Sequence, residues 1–257
     1  NCDILNRMVN KLKTASNIGI NAYEVSVETD VVNALPGISI VGLPDAAVNE
    51  SKDRVKSAIK NSGYTFPAKK IIINLAPADL KKTGTGFDLP IALGILVEEE
   101  VLDAEKMKDY AFIGELSLDG GIRGVNGVLP LVLGLKDVGI KNVIVPKCNV
   151  KEAALNGVVN VFGAETLNEV VAHFTDKKLE QTVIDAQKYL SEKVEQDYLF
   201  DFKMVKGQYK AKKALEIAAA GGHNILMSGS PGSGKTMMAK CLPSILPPLE
   251  LSEALEL

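Results

Sequence analysis

An eight-residue run near the carboxyl end, residues 229–236, constrains this chain more than any other segment. It reads Gly-Ser-Pro-Gly-Ser-Gly-Lys-Thr and fills every defining position of the pattern Gly-x-x-x-x-Gly-Lys-Ser/Thr. The pattern requires a strand before it and a helix after it. The apolar run 224–228 predicts the strand, and the Met, Ala and Leu content of residues 235–246 predicts the helix. The sequence therefore predicts a phosphate-binding loop in an α/β domain.

The residue types of the loop explain how phosphate would be held. Gly229, Gly232 and Gly234 can adopt positive φ, so that successive N–H groups turn inward around phosphate oxygens. Lys235 would reach the β and γ phosphates of ATP, and the Thr236 hydroxyl would be a Mg²⁺ ligand. The predicted nucleotide-binding residues are Gly229, Ser230, Pro231, Gly232, Ser233, Gly234, Lys235 and Thr236. The alternative is a glycine-rich turn that binds nothing.

Composition limits the class of protein. The 257 residues are 46% hydrophobic and 24% charged, which is typical of globular material forming one large domain or two. A net charge of −3 gives no overall attraction to nucleic acid or an anionic membrane. The longest apolar stretch, 91–97, is too short to span a bilayer, and residues 1–20 lack the apolar core of a secretory signal. Three cysteines far apart in sequence indicate thiols in a reducing compartment. These features predict a cytoplasmic location.

Periodicity predicts a domain organisation of four segments. They are an N-terminal extension (1–16), an α/β or α+β domain (17–174), a charged, partly helical linker (175–200) and a second domain (201–257). Strands are predicted at 23–30, 71–75, 111–116 and 142–145, with 38–41 as a hairpin partner of the first. Helices are predicted at 44–62, 89–97, 128–138, 166–174 and 208–220.

Several long blocks resemble a known family. They are residues 41–51, 54–63, 74–80, 87–96, 112–116, 205–208 and 211–224, together with the glycine loop. These blocks are similar to the YifB/ComM family of magnesium-chelatase-like AAA+ ATPases, and they cover nearly everything except the first dozen residues and the charged linker. The resemblance implies a first domain with the fold of the Lon proteolytic domain and a second that opens an AAA+ module.

The resemblance also implies partners and an activity. Family members are hexameric ATPases, and ComM is associated with DNA branch migration during natural transformation. We therefore favour the interpretation that the chain is the amino-terminal part of an ATP-driven ring motor that acts on DNA. Two alternatives stay open, namely a chelatase-like ATPase regulator and a Lon-like assembly module without enzymatic activity.

Two substitutions argue against peptidase activity in the first domain. A Lon-type enzyme needs a serine activated by a lysine. Alignment to that family places Phe87 at the serine position and Leu129 at the lysine position, and no serine lies between Ser62 and Ser117. Neither side chain can attack a carbonyl or accept a proton, so we expect no protease activity.

Two further sites are predicted with open alternatives. Lys69, Lys70, Lys81 and Lys82 flank the loop 83–86 and predict a DNA-backbone patch, the alternative being solvated lysines beside a flexible loop. By family analogy, an adenine pocket involves Val205, Gly207 and Gln208, the alternative being that the following helix only presents a core face. His173 is predicted as a helix cap or surface residue and His223 as structural.

The last 21 residues lack an apolar strand ending in acidic residues, which hydrolysis requires to hold Mg²⁺ and activate water. We therefore expect the chain as written to bind ATP without turning it over. Its first residue, Asn1, and its abrupt end lead us to expect a fragment of a longer protein.

Overall fold

Two units with separate apolar cores make up the chain in a computed structural model. They are Asn1–Ala186 and Gln187–Leu257, and the structure describes residues 9–18, 21–185 and 199–247. The fold class is α/β, as predicted. No helix among the described residues is both long enough and apolar enough to cross a membrane.

A mixed sheet organises the first unit. Its strand order is β10-β9-β8-β5-β1-β2-β4-β3, and β6 and β7 form a separate pair. Strands β9, β8, β5 and β1 run parallel, whereas β2 is antiparallel to both β1 and β4. The strands are β1 (Asn10–Ile18), β2 (Asn21–Val32), β3 (Gly37–Val41), β4 (Lys70–Ala76), β5 (Tyr110–Phe112), β6 (Glu115–Leu116), β7 (Ile122–Arg123), β8 (Asn142–Pro146), β9 (Asn160–Ala164) and β10 (Gln181–Thr182).

Helices pack on this sheet. They are α1 (Ala46–Asn61), α2 (Asp88–Glu98), α3 (Ala104–Met107), α4 (Val128–Asp137), α5 (Val150–Ala154) and α6 (Leu167–Thr175). Helix α1 begins where the Asp45 carboxylate accepts the Val48 N–H at 2.8 Å, and it ends at Asn61, with Ser62 as its C-cap before Gly63 at φ 89°. Helix α2 is buried along nearly its whole length, which explains its continuous apolar sequence.

The predicted hairpin between residues 23–30 and 38–41 is wrong. Strand β3 pairs in parallel with β4, and β4 lies between β2 and β3. Helix α1 is the crossover between β3 and β4, and its 16 residues are long enough to return the chain for parallel pairing. Alternation along residues 38–41 identified a strand correctly but could not identify its neighbour.

Other strand predictions differ in detail. The predicted strand 111–116 divides into β5 and β6, because Gly114 leaves the sheet, donating its N–H to Gly86 and accepting from Leu89. Strand β1 was missed, and the residues predicted as the end of an N-terminal extension lie inside the sheet. Its buried positions are Leu12, Thr14, Ala15 and Ser16. Two of these four residues are polar and three of the four are consecutive, so the apolar alternation of a strand is absent.

His173 is buried, which corrects the prediction of a cap or surface residue. Its Nδ1 accepts the Leu179 N–H at 2.8 Å, so the neutral ring carries its proton on Nε2, which lies 3.1 Å from the Tyr110 hydroxyl. Burial lowers the pKa of His173. The first residues of the predicted linker also join the fold, since β10 pairs with β9. Residues 186–198 of that linker lie outside the described residues.

The second unit contains α7 (Tyr209–Gly221) and α8 (Lys235–Cys241), with 3-10 turns at Phe202–Met204 and Leu242–Ile245. Its core comprises Phe202, Val205, Leu215, Met238 and Cys241. Helix α8 is shorter than predicted and tightens into the second 3-10 turn, since Pro243 has no N–H to continue it.

The strand predicted at 224–228 does not form among the described residues. Leu226 is 94% exposed, and residues 199–247 contain no strand with which this segment could pair. A strand assignment needs a hydrogen-bonded neighbour, so an apolar run alone is insufficient.

Candidate nucleotide-binding site

The loop before α8 has a backbone that glycine favours at two positions. Gly232 has φ 78° and Gly234 has φ 81°, both in the left-handed region. No heavy atom lies within 4 Å of a Cβ built at either position. A side chain would therefore have space at both positions, and glycine is favoured here by its backbone conformation alone. Between them, Ser233 donates its N–H to the Ser230 carbonyl at 3.3 Å and closes the turn.

The Lys235 ammonium group lies within the curve of this loop. Its Nζ donates to the Gly229 and Ser230 carbonyl oxygens, each at 2.8 Å, and to Ser233 Oγ at 3.2 Å. The loop thus holds the ammonium group with uncharged carbonyl and hydroxyl oxygens. These bind it more weakly than the charged oxygens of an anion would.

The donor set around the lysine suits phosphate. Thr236 is exposed in the first turn of α8, next to Lys235. Hydroxyls, main-chain N–H groups and one ammonium group dominate this segment, and residues 217–249 contain no Asp or Glu. The chemistry of these residues fits a polyphosphate with its Mg²⁺.

Of the three residues predicted for an adenine pocket, Gln208 lies beside the loop. Its Nε2 is 3.5 Å from the Ser233 carbonyl oxygen, and the αL conformations of Gly207 and Gln208 precede α7. Val205 is buried in the core of the second unit, and its carbonyl accepts from Lys212 Nζ at 3.3 Å. Leu215 and Ala218 also face inward, so α7 does present a core face.

The four lysines predicted as one DNA patch are separated by the structure. Lys69 and Lys70 precede or begin β4, whereas Lys81 and Lys82 follow its other end. A seven-residue strand spans roughly 20 Å at about 3.3 Å per residue. Lys82 is buried, and its Nζ donates to the carbonyls of Pro77 and Leu80, so it is absent from the surface. Desolvation lowers the pKa of Lys82.

Both residues at the aligned Lon dyad positions belong to the packing of the first unit. Phe87 is a core residue that immediately precedes α2. Leu129 is half-buried in α4, where its N–H donates to Glu152 Oε1 at 3.3 Å. Sequence reasoning missed the pair formed by the half-buried Arg54 and the buried Asp88, although both residues lie in blocks that carry the family resemblance.

Comparison with known proteins adds independent evidence. A family model described as subunit ChlI of Mg-chelatase matches residues 27–149, and one described as magnesium chelatase, subunit ChlI, matches residues 201–257. The YifB protein of Salmonella typhimurium is 45% identical over 243 residues, covering 95% of this chain and 47% of that protein. The competence protein ComM of Haemophilus influenzae is 41% identical over 241 residues, covering 94% and 47%.

A more distant relative is consistent with the α/β fold class. The Lon protease of Leptospira interrogans is 26% identical over 153 residues, covering 56% of this chain and 18% of that protease. The chain spans about half the length of the YifB and ComM relatives that it matches. On these matches, the chain belongs to the YifB/ComM family of magnesium-chelatase-like proteins.

Proposed function

We propose that the second unit binds ATP with Mg²⁺ through residues 229–236, as part of an AAA+ module. The observation that carries this proposal is the placement of Lys235 Nζ within hydrogen-bonding distance of three oxygens of its own loop. Only a loop curved around the ammonium group brings these oxygens together, and the same curvature suits a phosphate group.

The residues would divide the work of binding. Lys235 would exchange loop oxygens for phosphate oxygens, which are stronger partners because they carry charge. Gly232 and Gly234 would direct N–H groups toward the phosphates, and the Thr236 hydroxyl would hold Mg²⁺, which neutralises phosphate charge when bound. Gln208, next to the Ser233 carbonyl, would position the edge of the site that receives the base.

In the whole protein, we propose that ATP drives a hexameric ring that acts on DNA in the cytoplasm. Support comes from the printed name of the Haemophilus influenzae relative, a competence protein, together with 41% identity. Branch migration during transformation is the activity that we favour. No protease activity is expected, since Phe87 and Leu129 carry no catalytic group.

A chelatase-type ATPase regulator is the second candidate, because both family models describe a magnesium-chelatase subunit. The ATPase rate of a whole-length relative with and without branched DNA distinguishes the two. An ATPase rate that rises with branched DNA supports the motor, and an ATPase rate that DNA does not change supports the regulator.

The binding proposal is tested by titrating the chain with a fluorescent ATP analogue in the presence of Mg²⁺. We expect Lys235→Ala to weaken binding at least tenfold. Lys240→Ala is the matched control, because Lys240 is an exposed lysine of the same helix and lies outside the loop. Equal affinity of the two variants would reject the site and would favour a binding module in which nucleotide plays no part.

A further inference from the structure

The outer edge of β3 is open in the part of the chain that the structure describes. Strand β3 is the last in the sheet order. Gly37 donates its N–H across the β3–β4 pair to the Lys69 carbonyl. Main-chain groups of successive strand residues point to opposite edges, so Ile38 and Ile40 direct theirs away from β4. An open edge of this kind is a template for one more strand.

A groove of about 450 Å³ lies at the start of β3, where α1 and the residues just before β4 also line it. Ile38 and Phe66 contribute apolar surface. The α1 side carries Lys52, Lys56 and Lys60 with a single acidic residue, Asp53. Lys56 Nζ lies 6.0 Å from the centroid of the Phe66 ring, so the charge and the apolar surface adjoin. The groove is therefore cationic and half apolar.

The spacing of the lysines matches an extended chain. Lys52, Lys56 and Lys60 are four residues apart, which places them in one row with steps of about 6 Å along the helix. All three lysines line the groove at the start of β3, and α1, as the crossover between two parallel strands, is expected to run along them. Alternate side chains of a strand are about 6.6 Å apart, so acidic residues at every second position would each meet one lysine.

We infer that this groove binds an extended acidic peptide, which adds to the sheet beside β3 and directs alternate carboxylates to the lysine row. A nucleic-acid backbone would satisfy the lysines, but it has no row of N–H and C=O groups to pair with Ile38 and Ile40. Val41, the last residue of β3, is 45% exposed and would contact an apolar side chain of the partner.

The test uses the 257-residue chain and a fluorescein-labelled ten-residue peptide of alternating Glu and Thr, with binding followed by fluorescence anisotropy. We expect saturable binding that weakens at least tenfold in the variant Lys52→Glu/Lys56→Glu/Lys60→Glu. The matched control is Lys136→Glu/Lys151→Glu/Lys177→Glu, which changes the net charge equally at three exposed lysines elsewhere. Thermal unfolding establishes that both triple variants are folded. Absence of binding, or an equal loss in both variants, would overturn the inference.

Strand addition is tested separately with two N-methylated peptides. In a strand, the N–H groups of all Glu residues point to one edge and those of all Thr residues to the other. We therefore expect methylation of one set to weaken binding at least tenfold and methylation of the other to be tolerated. Equal effects would contradict strand pairing. Tighter binding of a twelve-residue oligothymidylate, lost in the same lysine variant, would assign the groove to nucleic acid instead.

Discussion

Arg54 on α1 and Asp88 at the start of α2 are joined by two hydrogen bonds, Nε to Oδ2 at 2.6 Å and Nη2 to Oδ1 at 3.0 Å. Asp88 is fully buried and also accepts the Leu116 N–H at 3.1 Å, so one carboxylate links α1, α2 and β6. Burial raises the pKa of Asp88, and the bonds from Arg54 oppose that rise. The pair joins α1 to α2, and α2 packs against β2 and β1.

Replacing Arg54 should therefore be costly. Arg54→Ala leaves a buried carboxylate without its cation, and we expect the free energy of unfolding to fall by about 3–5 kcal/mol. Lys108→Ala is the control, because Lys108 pairs with Glu105 on the surface, where such a pair contributes only about 0–1 kcal/mol. Urea denaturation measures both. Similar losses in the two variants would show that Asp88 is compensated by other groups.

The elements with strong periodicity were predictable from sequence. Helix α1 buries Val48, Val55 and Ile59 as expected, and β4 buries Ile71 and Leu75. What could not be predicted was the neighbour of β3, since an alternating pattern specifies a face and leaves the partner strand open. Elements of two to five residues, such as β10 and α5, carry too little pattern to be distinguished from loops.

The candidate site was predictable where a motif fixed the backbone, and unpredictable where distant segments meet. The glycines at 232 and 234 adopt the expected positive φ, whereas Gly229 does not. The burial of Lys82 was not predictable, because its two carbonyl partners are positioned by the turn after β4 rather than by any charge pattern. A lysine-rich sequence is equally compatible with a solvated surface and with a buried ammonium group.

Gly42 is predicted to be intolerant of any side chain. It has φ 98°, and a Cβ there would lie 2.1 Å from the Leu75 carbonyl oxygen, which is main chain and cannot move aside. Gly63 has a similar φ of 89° with no atom within 4 Å. We expect Gly63→Ala to cost about 1–2 kcal/mol from backbone strain alone. Gly42→Ala should cost about 1–3 kcal/mol more, from the clash. If chemical denaturation shows equal losses of unfolding free energy for Gly42→Ala and Gly63→Ala, the close approach of Gly42 to Leu75 would be contradicted.

His173 should make the stability of the first unit depend on pH. Its pKa is lowered in the folded state by burial, with a smaller contribution from Lys178. The pKa of a histidine in an unfolded chain is about 6.5. Below that pH the unfolded chain binds more protons than the folded one, so the free energy of unfolding falls as pH decreases through this range. Protonation of Nδ1 would also break the bond from the Leu179 N–H.

The measurement compares the free energy of unfolding at pH 8 and pH 5.5. His173→Gln keeps hydrogen-bonding groups but does not titrate, so we expect a smaller loss at pH 5.5 than in the wild type. The other histidine of the chain, His223, is exposed, and His223→Gln should retain the wild-type dependence. If the stability of His173→Gln depends on pH as strongly as that of the wild type, the pH dependence would belong to the carboxylates and not to His173.

Lys82 is predicted to resist chemical modification. The exposed neighbour Lys81 and the buried Lys82 are adjacent in sequence, so a protease that does not cleave at lysine leaves both in one peptide for mass spectrometry. We expect brief treatment with an acetylating reagent to modify Lys81 at least tenfold faster, because the reagent cannot reach the Lys82 amine despite its lowered pKa. Unfolding in urea should remove the difference. Equal rates of acetylation in the folded chain would show that the Lys82 amine is exposed.

ATP binding without turnover is the expectation for the second unit, because no carboxylate follows Glu216 among the residues that the structure describes there. Transfer of a phosphoryl group to water needs a residue that orients the water and an acid that holds Mg²⁺. Residues 217–249 contain no carboxylate, and the preceding one, Glu216 on α7, pairs with Lys213 at 3.4 Å. We expect phosphate release from the 257-residue chain to equal that of Lys235→Ala, while only the unmodified chain binds the nucleotide. Steady release that disappears in Lys235→Ala would show that these residues already contain a catalytic group.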